Sequence, residues 1–260
     1  MAEPVSLRPE HDVLIRKLRS ISPLSDDETH CLMTLPLRTR DVGPDQPVVQ
    51  EGDRPSECCL VVEGFTCRYK LTAAGKRQIF SFHLPGDIPD LQSLHLRVLD
   101  TSLGTITPCK VGFIRHEVLH DLCGRYPRIA GALWRQTLID AAVFREWMAS
   151  IGQREAYHRI AHLLCEMMVR MRAVGLTQDH TCDVPITQAE FGDALGISTV
   201  HINRVLQALR QEKLIVLRGG SLTVLNWEGL KNAGQFDATY LHLAKTKVAH
   251  RAVEQDRPGS

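Results

Sequence analysis

Two helix-start signals separated by a single glycine constrain the fold of the C-terminal half of the chain more than any other feature. Thr187 and Glu190 form a T-x-x-E capping box, which satisfies free backbone amides in the first turn of a helix. The pattern predicts a helix over residues 188–194, a tight turn at Gly196 and a second helix that begins after Ser198, a favourable N-cap residue. Two helices joined in this way form a helix-turn-helix.

A predicted hairpin follows the second helix. The apolar runs Leu214–Leu217 and Leu222–Leu225 flank a Gly219-Gly220 pair, which favours a hairpin turn. A helix-turn-helix followed by a hairpin predicts a winged helix that binds double-stranded DNA. The second helix has no acidic residue before Glu212, so its polar start can approach phosphates without repulsion. The residues predicted to contact DNA are Thr187, Gln188, Ser198, Thr199, Val200, His201, Asn203, Arg204 and Arg218.

Two arginines among these residues are expected to contact DNA in different ways. Arg204 can reach both acceptors of a guanine at once, a bidentate contact that reads sequence. Arg218, in the hairpin turn, can reach only phosphate. The competing interpretation is an ordinary surface helix whose polar face is solvated. The capping box, glycine turn and hairpin together favour DNA binding over that alternative.

The N-terminal half has a different pattern, in which short β-type runs alternate with turn signals from about Arg38 to Arg115. Strands at this spacing predict an antiparallel sandwich or roll. Before this region, short helical pieces are predicted, one of them beginning after Ser25 with acidic residues in its first turn. The predicted strands are Val48–Val49, Cys58–Val62, Phe65–Leu71, Gln78–His83 and Thr105–Ile114.

A long helix is predicted between the two halves, from Pro127 to Ile151, and its apolar residues cover more than one face. A helix that is apolar on two faces must bury both, so one face is expected to pack on the roll and the other on a second copy. The alternative is an interior helix of a monomer. The predicted dimerisation residues are Leu133, Leu138, Phe144, Trp147, Met148 and Ile151.

These patterns place the chain in the α+β class, with four segments. Residues 1–126 are predicted to form a β-roll domain with N-terminal helices, and residues 127–152 the dimerisation helix with a hinge at Gly152. Residues 153–235 are predicted to form the winged-helix domain, with a polar loop at Thr177–Thr181, and residues 236–260 a C-terminal extension.

Composition excludes several other classes of protein. The formal net charge is +1, so any basic surface is local. No apolar run is long enough to span a membrane, and the N-terminus lacks the pattern of a signal peptide, which together predict a cytoplasmic protein. The sequence contains no nucleophile elbow, P-loop or dinucleotide motif, so an enzyme is not expected.

The eight cysteines contain no C-x-x-C pair, so no metal site and no cofactor are predicted. Most of these thiols are expected to be small buried residues, since a cytosolic chain keeps its cysteines reduced. A redox-active thiol among them stays an open alternative.

In these motifs the chain resembles the CRP/FNR family of bacterial transcription regulators. The resemblance is carried by the pattern Gly196-Ile197-Ser198-x5-Arg204-Val205-Leu206-x2-Leu209-x4-Leu214-Ile215 and by the glycine turns Glu51-Gly52-Asp53, Val62-Glu63-Gly64 and Leu84-Pro85-Gly86-Asp87. The segments Thr187-Gln188 and Val200-His201-Ile202-Asn203-Arg204 are closest to FixK/FNR-like members. The resemblance implies that residues 1–126 are an effector-sensing, cyclic-nucleotide-binding-like roll, whose small effector the sequence does not identify. It also implies a homodimer on a palindromic operator and RNA polymerase as a partner.

Departures from the family pattern restrict which effectors the roll is expected to bind. Members that bind cyclic nucleotides carry a Gly-Glu pair after the Pro-Gly-Asp turn and an arginine for the phosphate. Here Ile88-Pro89-Asp90-Leu91-Gln92-Ser93 follows the turn, and the arginine position falls near Leu99 or Asp100, with Arg97 too early. An acid beside a phosphate repels it, so the roll is not expected to bind cAMP.

Other family sensors are also disfavoured. No cysteine precedes Cys31, whereas the oxygen-sensing members use an N-terminal cysteine cluster to hold iron–sulfur. His83 and His95 are more simply interpreted as surface or hydrogen-bonded residues than as haem ligands. Many members carry glutamate where Val200 lies, so Val200 is expected to contact a thymine methyl group instead. The alternative function is a ligand-sensing roll whose DNA binding is secondary or lost.

Overall fold

The structure is a computed structural model that describes residues 8–244 of the 260-residue chain. Residues 245–260, the greater part of the predicted C-terminal extension, lie outside the described residues, as do residues 1–7. Within the described part of the chain, no helix combines the length and the apolar character that crossing a membrane requires.

Two helices precede the sheets, as predicted. They are α1 (Pro9–Ile21) and α2 (Asp26–Met33). The start of α2 is a complete capping box, because the Glu28 amide donates to Ser25 Oγ at 3.3 Å and the Ser25 amide donates to Glu28 Oε2 at 2.7 Å. The sequence signal at Ser25 therefore acts through local hydrogen bonds alone.

The predicted antiparallel roll is confirmed. Its strands are β1 (Arg38–Val42), β2 (Pro47–Val49), β3 (Glu57–Glu63), β4 (Thr66–Leu71), β5 (Arg77–His83), β6 (Ser102–Thr105) and β7 (Cys109–Arg115). They form two antiparallel sheets, one in the order β1-β7-β3 and the other in the order β2-β6-β4-β5. A short 3₁₀ helix, Leu91–Leu94, lies between β5 and β6.

Two details of the roll differ from the prediction. The predicted strand Thr105–Ile114 is two strands in different sheets, because the chain crosses over at residues 106–108, where the amides of Ile106 and Thr107 both bond the Phe65 carbonyl. Strand β1 was missed because four of its five residues are exposed, which removes the apolar signal of a strand. Within residues 8–244 it pairs with β7 alone, so the backbone hydrogen bonds to β7 define this strand.

The long helix is confirmed, as α4 (Pro127–Gln153), and follows α3 (His116–Arg125). Two dimerisation residues were assigned wrongly, because Leu133 and Trp147 are buried in the core of their own chain. Trp147 packs edge-on against Phe82 of β5, with ring centroids 5.6 Å apart. Leu138, Phe144 and Met148 are exposed, and Ile151 is half-buried.

The predicted hinge at Gly152 is also wrong in position. Gly152 lies inside α4, which ends at Gln153, and Arg154 has extended backbone with φ −96° and ψ 148°. A single glycine is tolerated within a helix, so the break depends on the backbone of the residues that follow. The next helix, α5 (Ala156–Ala173), begins after Glu155.

The C-terminal part is a winged helix. Its elements are β8 (Thr177–Gln178), β9 (Thr181–Asp183), α6 (Gln188–Leu195), α7 (Thr199–Gln211), β10 (Ile215–Arg218), β11 (Ser221–Val224) and α8 (Trp227–Ala233). The predicted loop Thr177–Thr181 is wrong, because β8 and β9 form a small hairpin there. Strand β9 also pairs with β11, so its polar residues are held through their backbone.

One apolar core joins the roll to the winged helix. It contains Phe82 of β5, Val143 of α4, Leu164 of α5 and Leu206 of α7 in a single cluster. The last regular element among the described residues is a 3₁₀ helix, Ala238–Leu241, and its Leu241 belongs to the same cluster.

Candidate nucleic-acid interface

The turn between α6 and α7 is built by the residues that predicted it. The Glu190 amide donates to Thr187 Oγ1 at 3.2 Å and the Thr187 amide donates to Glu190 Oε2 at 2.7 Å, which completes the capping box. Gly196 ends α6 with φ +67°, a left-handed conformation that favours glycine. Ser198 Oγ then accepts the His201 amide at 3.4 Å and caps α7.

Helix α7 has one buried and one exposed face. The buried residues Ile202, Val205, Leu206 and Leu209 belong to the main core cluster. The opposite face therefore points to solvent, and none of its residues between Thr199 and Gln211 is acidic. The helix N-terminus adds a partial positive charge, so this face favours a polyanion.

All nine residues predicted to contact DNA are exposed, and they lie in three neighbouring places. Thr187 and Gln188 are at the start of α6, and Arg218 is at the end of β10. The other six precede or lie on α7. Val200 has 62% of its surface exposed, an unusual position for a valine that has no contact outside its own chain.

The hairpin after α7 has the turn that its glycines predict. Gly219 and Gly220 have φ +57° and +83°, as a two-residue turn with both central residues left-handed requires. Sequence reasoning missed a second feature: Arg210 of α7 donates to the Leu217 carbonyl at 2.9 Å. This bond joins the end of α7 to the wing. A basic residue in the last turn was the available signal.

A contact between α6 and the roll was also missed. Arg77 Nε of β5 donates to Asp193 Oδ2 of α6 at 2.7 Å, and the Gln78 side chain donates to the Ala194 carbonyl at 3.3 Å. The helix-turn-helix is therefore docked on the outer strand of a roll sheet. No local sequence pattern indicates that residues 116 positions apart are in contact.

A cavity of about 380 Å³ lies between β4, β5, the loop before β6 and α4. Its lining includes the guanidinium of Arg68 on β4, whereas the family pattern places the phosphate-binding arginine near Leu99 or Asp100. Arg68 donates to Thr101 Oγ1 at 2.7 Å and lies 3.8 Å from Asp100 Oδ1. Asp140 also lines the cavity, and burial raises the pKa of its carboxyl.

The buried thiols and His83 are poorly suited to bind a metal ion. Burial raises the pKa of Cys58, Cys67 and Cys165 to about 12, so these thiols are protonated at neutral pH. His83 is buried, and its Nε2 lies 2.8 Å from Ser81 Oγ, a hydrogen-bonded histidine as expected. Among residues 8–244 no three histidine, cysteine, aspartate or glutamate side chains converge on a possible metal position.

Two family models match this chain on either side of α4. A cyclic nucleotide-binding domain model matches residues 39–126, and a Crp-like helix-turn-helix domain model matches residues 158–233. The first range holds the roll and the second holds α6, α7 and the wing.

Curated proteins and solved structures match over longer stretches. The chain is 28% identical over 180 residues to the transcriptional activator protein FnrL of Cereibacter sphaeroides, covering 67% of this chain and 71% of that protein. It is 25% identical over 235 residues to the transcriptional activator protein Anr of Pseudomonas protegens, covering 87% and 94%. The structure of FixK2 from Bradyrhizobium japonicum matches with a TM-score of 0.70 and 25% identity, covering 76% of this chain and 98% of that one. The chain belongs to the CRP/FNR family and is a DNA-binding transcription regulator, not an enzyme.

Proposed function

We propose that this regulator is a homodimer that binds a palindromic operator through α7 and responds to an effector other than cAMP. The observation that carries the proposal is an exposed apolar strip on α4, in the same molecule as an exposed, acid-free α7. Regulators of this family act as dimers, and a two-fold dimer presents two recognition helices to one face of DNA.

The strip on α4 supports the dimer. Leu138, Phe144 and Met148 have 56%, 43% and 60% of their surfaces exposed. Trp134, which was not among the predicted dimerisation residues, is 70% exposed and lies one turn from Leu138 on the same side. Four large apolar side chains along one exposed helix face are typical of an interface. We propose this strip, with Ile151 at its end, as the dimer contact.

The recognition surface consists of the nine exposed residues described above. Thr187, Gln188 and Arg218 are proposed to bind phosphates at the two edges of the contact. Thr199, Val200, His201, Asn203 and Arg204 lie on the first two turns of α7, after its N-cap Ser198, and are proposed to enter the major groove. Val200 is proposed to contact a thymine methyl group, where many family members read cytosine.

Binding-site selection from random duplex DNA tests the dimer and the recognition helix together. The expected result is a palindrome whose half-site centres lie one helical turn apart, about 34–36 Å. Light scattering at micromolar concentration should give the mass of a dimer. Recovery of single, unpaired half-sites together with a monomer mass would contradict the proposal.

The chemistry of the roll cavity supports an effector other than cAMP. Asp100 and Asp140 line it, so a cyclic phosphate would meet two carboxyl groups. The one arginine of the lining, Arg68, already bonds Thr101. Calorimetric titration with cAMP should therefore detect no binding at micromolar concentration, and a micromolar dissociation constant would overturn this part of the proposal.

The proposed protein partner of the DNA-bound dimer is RNA polymerase. A dimer bound at a promoter would act through RNA polymerase, in the cytoplasm, where the chromosome is. In vitro transcription with purified bacterial RNA polymerase and a promoter carrying the selected palindrome tests this partner. The direction of the change in transcript level would show whether the regulator activates or represses.

A further inference from the structure

The described end of the C-terminal extension, residues 236–244, lies across the joint between α4 and α5. We call this segment the clamp. The Leu241 side chain is buried in the main core, and the 3₁₀ helix Ala238–Leu241 packs on α4. The family model for the helix-turn-helix ends at residue 233, so the clamp lies beyond the matched domain.

Backbone groups tie the far end of the clamp to the N-terminal part of the molecule. The His242 carbonyl accepts a hydrogen bond from Arg135 of α4 at 3.1 Å, and the Ala244 amide donates to the Ser20 carbonyl of α1 at 2.8 Å. The near end begins beside α5, where Phe236 packs edge-on against His162, with ring centroids 5.1 Å apart. One short segment therefore contacts α1, α4 and α5.

The Tyr240 hydroxyl is the central polar contact of the clamp. It donates to Glu166 Oε2 of α5 at 2.8 Å and lies 3.1 Å from His162 Nε2. The Trp147 indole of α4 donates to the same Glu166 oxygen at 2.9 Å. The Glu166 side chain is fully buried, so each of these donors stabilises a charge that has no access to water.

Glu166 connects the clamp to the roll. Arg170 Nη1 donates to Glu166 Oε1 at 3.1 Å, and Arg170 Nη2 donates to Asp87 Oδ2 at 3.2 Å. Lys17 of α1 completes the chain of charges, with its Nζ 2.6 Å from Asp87 Oδ1. Side chains from α1, the roll, α4, α5 and the clamp thus form one buried network, and removing one member leaves its neighbours unpaired.

We propose that the clamp holds the winged-helix domain in its DNA-binding orientation relative to α4, and that Tyr240 is the positioning residue. The nine DNA-facing residues are all exposed in the clamped conformation, so it leaves the recognition surface free. The proposal rests on the proposed dimer on a palindrome. In that dimer the separation of the two α7 helices depends on the angle between α4 and α5, so restraining this joint favours binding of both half-sites at once.

The test compares Tyr240→Phe with Tyr157→Phe. Tyr157 is the matched control because it also donates to a carboxylate, that of Glu212, and neither residue of this pair belongs to the clamp. Affinity is measured for the palindrome recovered by selection and for a duplex with one half-site. For Tyr240→Phe we expect about tenfold weaker binding to the palindrome, equivalent to about 1.4 kcal/mol, with half-site affinity unchanged. For Tyr157→Phe we expect neither to change.

A second measurement uses the free protein and needs no DNA. Arg154 lies at the joint, so trypsin cleavage after it reports opening there. Tyr240→Phe should raise this cleavage rate about tenfold, because opening becomes about 1.4 kcal/mol easier. Truncation after Asp237, which also removes the buried Leu241, should raise the rate at least as much. An unchanged cleavage rate in Tyr240→Phe, or equal losses of half-site and palindrome affinity, would overturn the proposed role of the clamp. If the wild-type protein bound the palindrome no better than one half-site, the proposed function would be overturned instead. The cleavage rates would still show whether the clamp restrains the joint between α4 and α5.

Discussion

Arg204 and Arg218 lie in different parts of the proposed DNA surface, so their loss should have different effects. Arg204 is on the exposed face of α7, where a guanidinium fork can meet N7 and O6 of one guanine. Arg218 precedes the wing turn, where we propose that it contacts only the DNA backbone.

We expect Arg204→Ala to cost about 1–3 kcal/mol of binding free energy and to relax the preference at one base pair per half-site. Arg218→Ala should weaken binding evenly across sequences and reduce the slope of log affinity against log salt by about one. Binding-site selection and salt titrations on both variants measure these effects. If Arg204→Ala kept the wild-type sequence preference and lost only affinity, Arg204 would be a backbone contact and α7 would be placed wrongly on DNA.

The buried carboxyl of Asp90 should make the stability of the folded protein depend on pH. Its Oδ1 accepts the Cys59 amide at 2.8 Å, whereas its Oδ2 has no hydrogen-bond partner among the described residues. Burial raises the pKa of Asp90 to about 7 in the folded protein. An unfolded aspartate has a pKa of about 3.9, so the folded state binds this proton more tightly. The contribution of Asp90 to stability is therefore fully present below pH 4 and is lost as the pH rises to 7.

Asp90→Asn should remove this contribution to the pH dependence. From pH 5 to 7 the free energy of unfolding of the wild type should fall relative to the variant, with a slope of up to about 1.4 kcal/mol per pH unit. Denaturant titrations at several pH values measure the difference. Asp100→Asn, which changes an exposed carboxyl, is the control and should follow the wild type. Parallel curves for wild type and Asp90→Asn would show that Asp90 titrates normally.

At the scale of elements, the exposed strip of α4 is the feature that a partner must cover. Leu138→Asp should convert the proposed dimer to a monomer at micromolar concentration, because it places a charge at the centre of the strip. The unfolding temperature of the monomer itself should change little, since Leu138 is exposed in one chain. Light scattering and affinity for the selected palindrome measure the outcome.

Leu71→Asp is the matched control for this prediction. Leu71 is a leucine of similar exposure, 57%, but it lies at the end of β4, away from α4. It should leave both the mass and the DNA affinity unchanged. A dimer that persists in Leu138→Asp, or an equal loss in Leu71→Asp, would mean that the strip is not the interface.

Elements that depend on local signals were predictable, and those that depend on neighbours were not. The capping box at Thr187 and the left-handed glycine at Gly196 act within a few residues, so the helix-turn-helix could be located from the sequence. Strand β1 exists only because β7 pairs with it. Helical periodicity showed that α4 is apolar on two faces, but it could not show that Trp147 packs on Phe82 while Met148 faces solvent.

At the scale of the whole molecule, the sequence predicted the order of the domains but not how they are joined. The continuous core between the roll and the winged helix is one such connection, and the α6–β5 contact is another. Both bring together residues far apart in the chain, for which a single sequence offers no local signal. The Arg77–Asp193 pair is the part of this connection that can be tested by exchanging charges.

Arg77→Glu should loosen the docking of α6 on the roll. The pair has its two side chains 28% and 32% exposed, so its contribution is that of a partly screened ion pair, about 0.2–1 kcal/mol, and a like-charge pair costs a similar amount. Hydrogen exchange of the α6 amides should become faster in Arg77→Glu and return towards the wild-type rate when Asp193→Arg is added. Arg125→Glu disrupts an ion pair with Asp121 inside α3, and should leave α6 exchange unchanged. Faster exchange that the second substitution does not reverse would show that Arg77 supports the roll itself rather than its contact with α6.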